Sequence, residues 1–384
     1  MISKRASIRG CLMGLAIGDA MGYTVDTKTW PQIKEDYGPY GLMGFDLCNG
    51  YADVTSHTQL AAFSCNGLLI GQTRGQVRGT MAPLVRYVEI AQQEWAIGQR
   101  RYDQPARNLC WVFRVSELRR RHCTDTRMVE TLNRALERSR LSRDYRGSME
   151  APRNSYDDPA SIASAVAVGL FAHASHIGQE ELDRLGAESV ALTYGSPLAF
   201  LPGAAVAHLV SSCLSGQDTP LKELVEDALI ALEDQFSREY RQVKEVVHLV
   251  RQAITMAENR NLKPVEAMEK LKCDNGAQVL AGAVYAALLC EEDFDRAMIV
   301  AVNHSGRSAA VGRKSSGKIT PRSGWFRRAS TSPLDTVFVR KSTTGCTTKE
   351  KQSFFKNSSI RCLSSSSRES WAFGTGIGAG ETFV

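Results

Sequence analysis

Histidine, hydroxyl and carboxyl side chains gather in two short windows of this sequence. One is Thr55-Ser56-His57-Thr58-Gln59, two residues after Asp53; the other is Asn303-His304-Ser305-Gly306-Arg307-Ser308-Ala309. A histidine among hydroxyls has the chemistry to move a proton or bind a ligand. Read alone, His57 is more often a satisfied histidine at a helix terminus than a catalyst. His304 beside Asn303 invites the same reading, and Arg307 has a plain alternative in pairing with a neighbouring carboxylate. The run Arg119-Arg120-Arg121 reads first as a solvated helix face and second as a patch for phosphate or a partner. Ten cysteines without a CxxC pair suit reduced thiols and exclude a spaced zinc site, which points to a cytoplasmic protein.

The elements that must hold these windows are helical. Glycines at 10, 14, 18 and 22 fall on one face of a first helix, expected to end in a turn at Asp19–Gly22. Each glycine inside a helix costs about 0.8–1 kcal/mol against alanine, so the stripe predicts close approach of another backbone. A phosphate loop is excluded by spacing, since neither GxGxxG nor GxxxxGK[ST] fits these residues. Residues 30–52, rich in glycine and aromatics, read as a long loop. Helical periodicity returns at 59–70 with Leu60, Phe63 and Leu68 inward, and again at 78–98. The stretch 100–158 is polar and arginine-rich. Further helices are expected at 160–173, 180–191, 198–214, 221–235, 238–257, 263–272, 278–290 and 293–302. Strand alternation is nearly absent, so the fold is expected to be all-α, with a domain over residues 1–312.

Charge divides the chain in the same place. The net charge of +6 resolves into 13 basic against 4 acidic residues from Arg313 onward, and 34 against 37 before it. The mildly acidic folded part gives no reason to expect nucleic-acid binding. Residues 313–384 hold 23 Ser or Thr, a composition expected to stay disordered as a tail or to reflect a reading frame that diverges from relatives. No secretory signal and no apolar run of the roughly 18–20 residues that span a bilayer stand out, so no membrane partner is expected.

Four windows in one order resemble the ADP-ribosylglycohydrolase family. They are Gly-x-x-x-Gly-x-x-x-Gly-Asp-Ala-x-Gly at 10–22, Thr55–Gln59, Ala191-Leu192-Thr193-Tyr194-Gly195-Ser196-Pro197, and Ala301–Ala310, within a resemblance over roughly residues 5–312. It implies an orthogonal all-α bundle with a central cleft and two Mg²⁺ ions that orient ADP-ribose and a nucleophilic water. Magnesium needs hard oxygen ligands, which the family supplies from Thr-Asp-Asp-Thr and Gly-Asp-x-Asp-Ser/Thr. Carried over by position, Thr55 keeps the threonine ligand. Ser56, His57, Arg307 and Ala309 replace all four carboxylates, and Asp26 stands where relatives often carry Glu. Arg307 would repel a divalent ion by several kcal/mol even at an effective dielectric of roughly 20.

The glycine-rich middle loop of the family is altered as well, reading Asn154-Ser155-Tyr156-Asp157-Asp158-Pro159 here. Relatives also continue past the fourth window with a small-residue helix, where this chain gives Arg313-Lys314-Ser315-Ser316-Gly317 and would leave an apolar surface uncovered. Three readings follow from the resemblance. One is a metal-free hydrolase with Asp26 or Asp53 as general base and Arg307 steadying the pyrophosphate. Another is an inactive ADP-ribose or nucleotide-binding module in which Thr55, His57, Asn303, Arg307 and Tyr51 face the ligand. The last is the scaffold alone, without a ligand.

Overall fold

A computed structural model describes residues 4–47, 51–80, 82–99, 109–121, 124–139, 147–158, 162–215 and 219–306. Within them fourteen helices follow one another: α1 Lys4–Tyr23, α2 Trp30–Tyr37, α3 Ser56–Arg78, α4 Leu84–Gly98, α5 Ser116–Arg119, α6 Thr126–Ser139, α7 Ala163–Phe171, α8 Gln179–Ala191, α9 Pro197–Leu214, α10 Leu221–Phe236, α11 Val243–Glu258, α12 Pro264–Leu271, α13 Gly276–Leu289 and α14 Phe294–Val302. A short 3₁₀ turn at Trp111–Arg114 precedes α5. No β-strand is found among the described residues, as the all-α expectation requires. The tail from residue 313 lies outside them, as do Pro159, Arg307 and Ala309.

Composition decides depth. Every residue of α7, Ala-Ser-Ala-Val-Ala-Val-Gly-Leu-Phe, is buried, and α13 is apolar on nearly all sides. Such helices are stable only at the centre of a bundle. Accordingly α7 packs on α3, α8 and α9, while α13 packs on α9, α11 and α14. The outer helix α11 instead carries an apolar stripe, Val243, Val246, Val247, Val250, Ala253 and Ile254, and exposes its other side. α9 corrects one expectation. Its 18 residues are apolar enough to match a bilayer by length, and 72% of that stretch is buried inside the bundle as a core helix.

Two further expectations change. The first helix does not stop at Asp19–Gly22 but runs to Tyr23, with the turn at residues 24–27 and all four stripe glycines buried. Asp19 is drawn to α3, as described below, and so leaves the helix intact. The long loop at 30–52 contains α2, because the Gln32 side chain accepts from the Thr29 backbone N–H at 2.8 Å and Pro31 sits in the first turn. In the arginine-rich stretch, α6 forms because Met128, Leu132 and Ala135 share a buried side.

Candidate functional site

α3 begins where α1 ends, and one carboxylate joins them. Asp19, fully buried on the last turns of α1, accepts from the Thr55 backbone N–H at 2.8 Å, the Thr55 hydroxyl at 2.8 Å and the Thr58 hydroxyl at 2.6 Å. Thr55 is the N-cap of α3, so the anion sits at the positive end of that helix dipole. The Thr55 Oγ1 atom also lies 3.3 Å from His57 N and 3.1 Å from His57 Nδ1. Ser56 and His57 are both buried. The first two sequence windows therefore form one network. Asp19 is the site residue that sequence reasoning missed: it reads as part of the first window and of a turn, and not as a group that reaches the second window.

Asp53 belongs to a different network. Its carboxylate pairs with Arg120, whose side chain is otherwise exposed. The segment carrying Arg120 is fixed from below by Gln59, which donates Nε2–H to the carbonyls of Glu117 at 3.1 Å and Arg120 at 2.9 Å. Gln59 Oε1 in turn accepts from Trp95 Nε1 at 3.1 Å and Gln99 Nε2 at 3.3 Å. The arginine run is thus more than a solvated face: Arg120 holds Asp53, and Arg119 lies over the Phe113 ring, 5.3 Å from its centroid.

The fourth window is stitched to the segment after α1. Asp26 is half-buried in the 24–27 turn, and the next residue, Thr27, donates its N–H to the Gly306 carbonyl at 3.1 Å. Trp30 N–H donates to Ser305 Oγ at 2.9 Å. Asn303 accepts from Leu42 N–H at 2.7 Å and donates Nδ2–H to Leu42 O and Ile299 O, each at 2.8 Å. Gly41, at φ +72°, is required for this approach, since a Cβ there would sit 2.1 Å from Asn303 Oδ1. Asn303 is 3% exposed, and its amide serves the protein's own backbone. His304 is fully buried against the Ser305 carbonyl, and burial pushes its imidazole below the ordinary histidine range.

The third window holds the altered middle loop. Asn154 Oδ1 accepts from Gly195 N–H at 2.9 Å and Tyr156 N–H at 3.1 Å, and its Nδ2 donates to Thr193 O at 2.9 Å. Tyr194 donates its hydroxyl to Asp125 at 2.7 Å; burial, then the charges of Asp125 and Asp158, raise its phenol well above the usual range. Asp158 pairs with Arg127. A Cβ at Gly195 would lie 2.1 Å from the Asn154 carbonyl, so loop and window meet backbone to backbone.

The structure thus joins Thr55 and His57 to Asp19, ties the Asp26 turn to the segment ending at Gly306, and places Asp53 with Arg120. Arg307 and Ala309 lie outside the described residues. The described donors do not fit a magnesium ion. The Thr55 hydroxyl is engaged by Asp19 and lies against His57 N–H and Nδ1, the carboxylate at 53 is paired with a guanidinium, and Mg²⁺ prefers oxygen to imidazole. No group of three or more His, Cys, Asp or Glu side chains among the described residues forms a metal cage.

Comparison with curated proteins gives no significant match. One solved structure, described as an ADP-ribosylglycohydrolase-related protein complex, is similar at 20% identity over 85% of this chain and 92% of that one, with a TM-score of 0.48. A sequence profile described as ADP-ribosylglycohydrolase matches residues 2–313, most of the length. The chain belongs to the ADP-ribosylglycohydrolase family.

Proposed function

We propose that this chain binds ADP-ribose, free or attached to a protein side chain, at the ends of α1, α3 and α14, without the two-magnesium chemistry of its family. One observation carries the reading. The two groups at the second window that would serve a metal or activate a water, Thr55 Oγ1 and the Asp53 carboxylate, are engaged by Asp19, His57 and Arg120. A ligand is then recognised by direct hydrogen bonds and by charge. Arg307, next in sequence after Gly306, is assigned to the pyrophosphate, which a guanidinium can grip with two parallel N–H bonds. His57 is assigned to a ribose hydroxyl. Asn303 is left out of direct contact because its amide bridges Leu42 and Ile299.

Metal-free hydrolysis is the second reading, favoured by the tethering of the Asp26 turn through Thr27 and Gly306 to the fourth window. Calorimetry with ADP-ribose, in EDTA and in excess Mg²⁺, separates the cases. The binding reading expects the same affinity in both solutions and its loss in Arg307→Ala. Binding only with Mg²⁺, or none at millimolar ligand, refutes it. Turnover of ADP-ribosylated arginine or serine peptides in EDTA, abolished by Asp26→Asn, would establish the second reading instead.

A further inference from the structure

We propose that residues 109–121 form a preorganised docking platform for an acidic segment of a protein partner, with Trp111, Arg114 and Arg121 as its principal contacts. The platform uses none of the groups assigned to ADP-ribose and stands whether or not the chain binds that ligand.

The backbone comes first. Apart from the 3₁₀ turn Trp111–Arg114 and the single turn of α5, the segment is irregular, so its N–H and C=O groups need partners from elsewhere. Four buried side chains on α3 and at the end of α4 supply them. Glu94 accepts from Leu109 N–H at 2.7 Å and Cys110 N–H at 2.9 Å, and Asn66 accepts from Val112 N–H at 3.1 Å. Gln59 holds the Glu117 and Arg120 carbonyls, and Gln99 donates to the Arg119 carbonyl at 3.1 Å. None of these four side chains belongs to a residue more than 5% exposed. Val112 and Phe113 point inward from the same 3₁₀ turn and are buried. A satisfied buried polar network rigidifies what it holds, and a surface already ordered loses little entropy when a partner arrives.

Backbone satisfaction accounts for those bonds but not for the side chains that face outward. Trp111 is 57% exposed, and Arg114, three residues on and also exposed, eclipses it on one side of the 3₁₀ turn. Residues 111–121 hold four arginines against one glutamate, although residues 1–312 carry 34 basic against 37 acidic. Glu117 does not answer them: its carboxylate accepts from the Ser116 hydroxyl at 2.9 Å. Arg120 is paired with Asp53 and Arg119 lies over Phe113, whereas Arg114 and Arg121 meet no carboxylate among the described residues. Exposed tryptophan and arginine are the residues that dominate binding at protein interfaces, and a guanidinium takes a carboxylate through two parallel bonds. A carboxylate-rich segment with one apolar residue to cover the indole fits both features. Nucleic acid fits less well. Surfaces that bind single strands stack successive bases on several rings, and this platform exposes one. The acidic remainder of the fold would also repel a long polyanion.

Fluorescence anisotropy of the full chain with a fluorescein-labelled peptide, Leu-Phe flanked by four glutamates on each side, tests the platform. Saturable binding is expected, weakening as salt rises through about 0.15 M. Arg114→Gln combined with Arg121→Gln should weaken it about tenfold, and Trp111→Ala about fivefold. All three residues are exposed, so the variants should keep the wild-type melting temperature; Arg120 is left in place because it holds Asp53. Lys222→Gln with Arg251→Gln, on the outer faces of α10 and α11, should change nothing. No saturable binding at about 1 mM peptide overturns the proposal, as does an equal loss in the outer-helix pair, which would mean diffuse charge attraction. Oligodeoxythymidine binding more tightly than the peptide through the same two arginines would make the surface one for nucleic acid and overturn it too. Calorimetry with ADP-ribose should give the wild-type result in the Arg114/Arg121 double variant; an altered affinity there would overturn the separation of this surface from the ligand site. Absence of ADP-ribose binding in the wild type refutes the functional reading and leaves the platform standing.

Discussion

Replacing Asn303 by alanine should damage stability far more than ligand affinity, and the size of the effect follows from the bonds lost. The substitution strands the N–H and carbonyl of Leu42, a buried residue of the loop after α2. Ile299 keeps its own acceptor use through the Asn303 backbone N–H at 3.3 Å. Two unsatisfied buried groups at about 1–3 kcal/mol each, relieved in part by relaxation, give about 3 kcal/mol. In a folded unit of this size that lowers the melting temperature by roughly 6 °C. Gly41→Ala supplies the matching perturbation. It places a Cβ at φ +72°, 2.1 Å from Asn303 Oδ1 and 2.8 Å from the Trp30 ring. Left-handed backbone costs about 1–2 kcal/mol for a residue with a side chain, and the clash adds about 1–3 kcal/mol. In the double variant the clash with Asn303 is gone while the backbone cost and the Trp30 contact remain. The two changes should therefore fall short of additivity by about 1–2 kcal/mol in urea denaturation of the full chain. Additivity within about 0.5 kcal/mol would refute the clamp. So would an Asn303→Ala protein of unchanged stability that had lost ADP-ribose binding, since that result would make Asn303 a ligand contact.

Two further predictions concern histidines. His208 on α9 sits between Asp183 of α8, 2.8 Å from Nδ1, and Asp227 of α10, 3.1 Å from Nε2. Burial works against its charge, but the hydrogen bonds and charges of the two carboxylates outweigh it and raise its pKa. This stabilisation is complete below the unfolded value of roughly 6.5 and is lost as pH rises through the higher native value. The urea midpoint should fall over that window in the wild type and stay flatter in His208→Gln; equal profiles would dismiss the clamp. At the site, His57→Asp combined with Ser56→Asp places two carboxylates beside buried Asp19. That variant should melt lower in EDTA than in Mg²⁺, whereas the wild type should be indifferent; a magnesium response in the wild type would contradict the electrostatic reading.

Much of the bundle was legible because periodicity and composition agree locally. The helices from α8 to α14 begin and end within a few residues of where their apolar spacing places them, apart from α11, whose first turn is given over to the loop at 237–242. Where the signals conflict, reading failed. α2 has eight residues, one of them proline, in a region dominated by glycine and aromatics, and only the Thr29–Gln32 box marks it. α6 hides its Met128, Leu132 and Ala135 stripe among arginines. The site was legible as windows but not as contacts. Asp19 meets Thr55 across 36 positions, and Asn303 meets Leu42 across 261, separations at which no local period operates. Arg120 likewise looked like a surface charge because nothing in its neighbourhood announces Asp53.

The charge balance at the start of α3 ties these observations together. Asp19 brings a full negative charge into a site with almost no solvent, and such a charge is tolerable only if hydrogen bonds and dipoles answer it. The α3 N-terminus, two hydroxyls and one backbone N–H supply that answer. A second and third anion at positions 56 and 57, as the family pattern would have, would exceed what the helix end can neutralise, and a divalent cation is the natural remedy. Serine and histidine at 56 and 57 add no second or third carboxylate to that helix end. The start of α3 is therefore built around one buried carboxyl group, Asp19, held by Thr55 and Thr58, with no further carboxylate at 56 or 57.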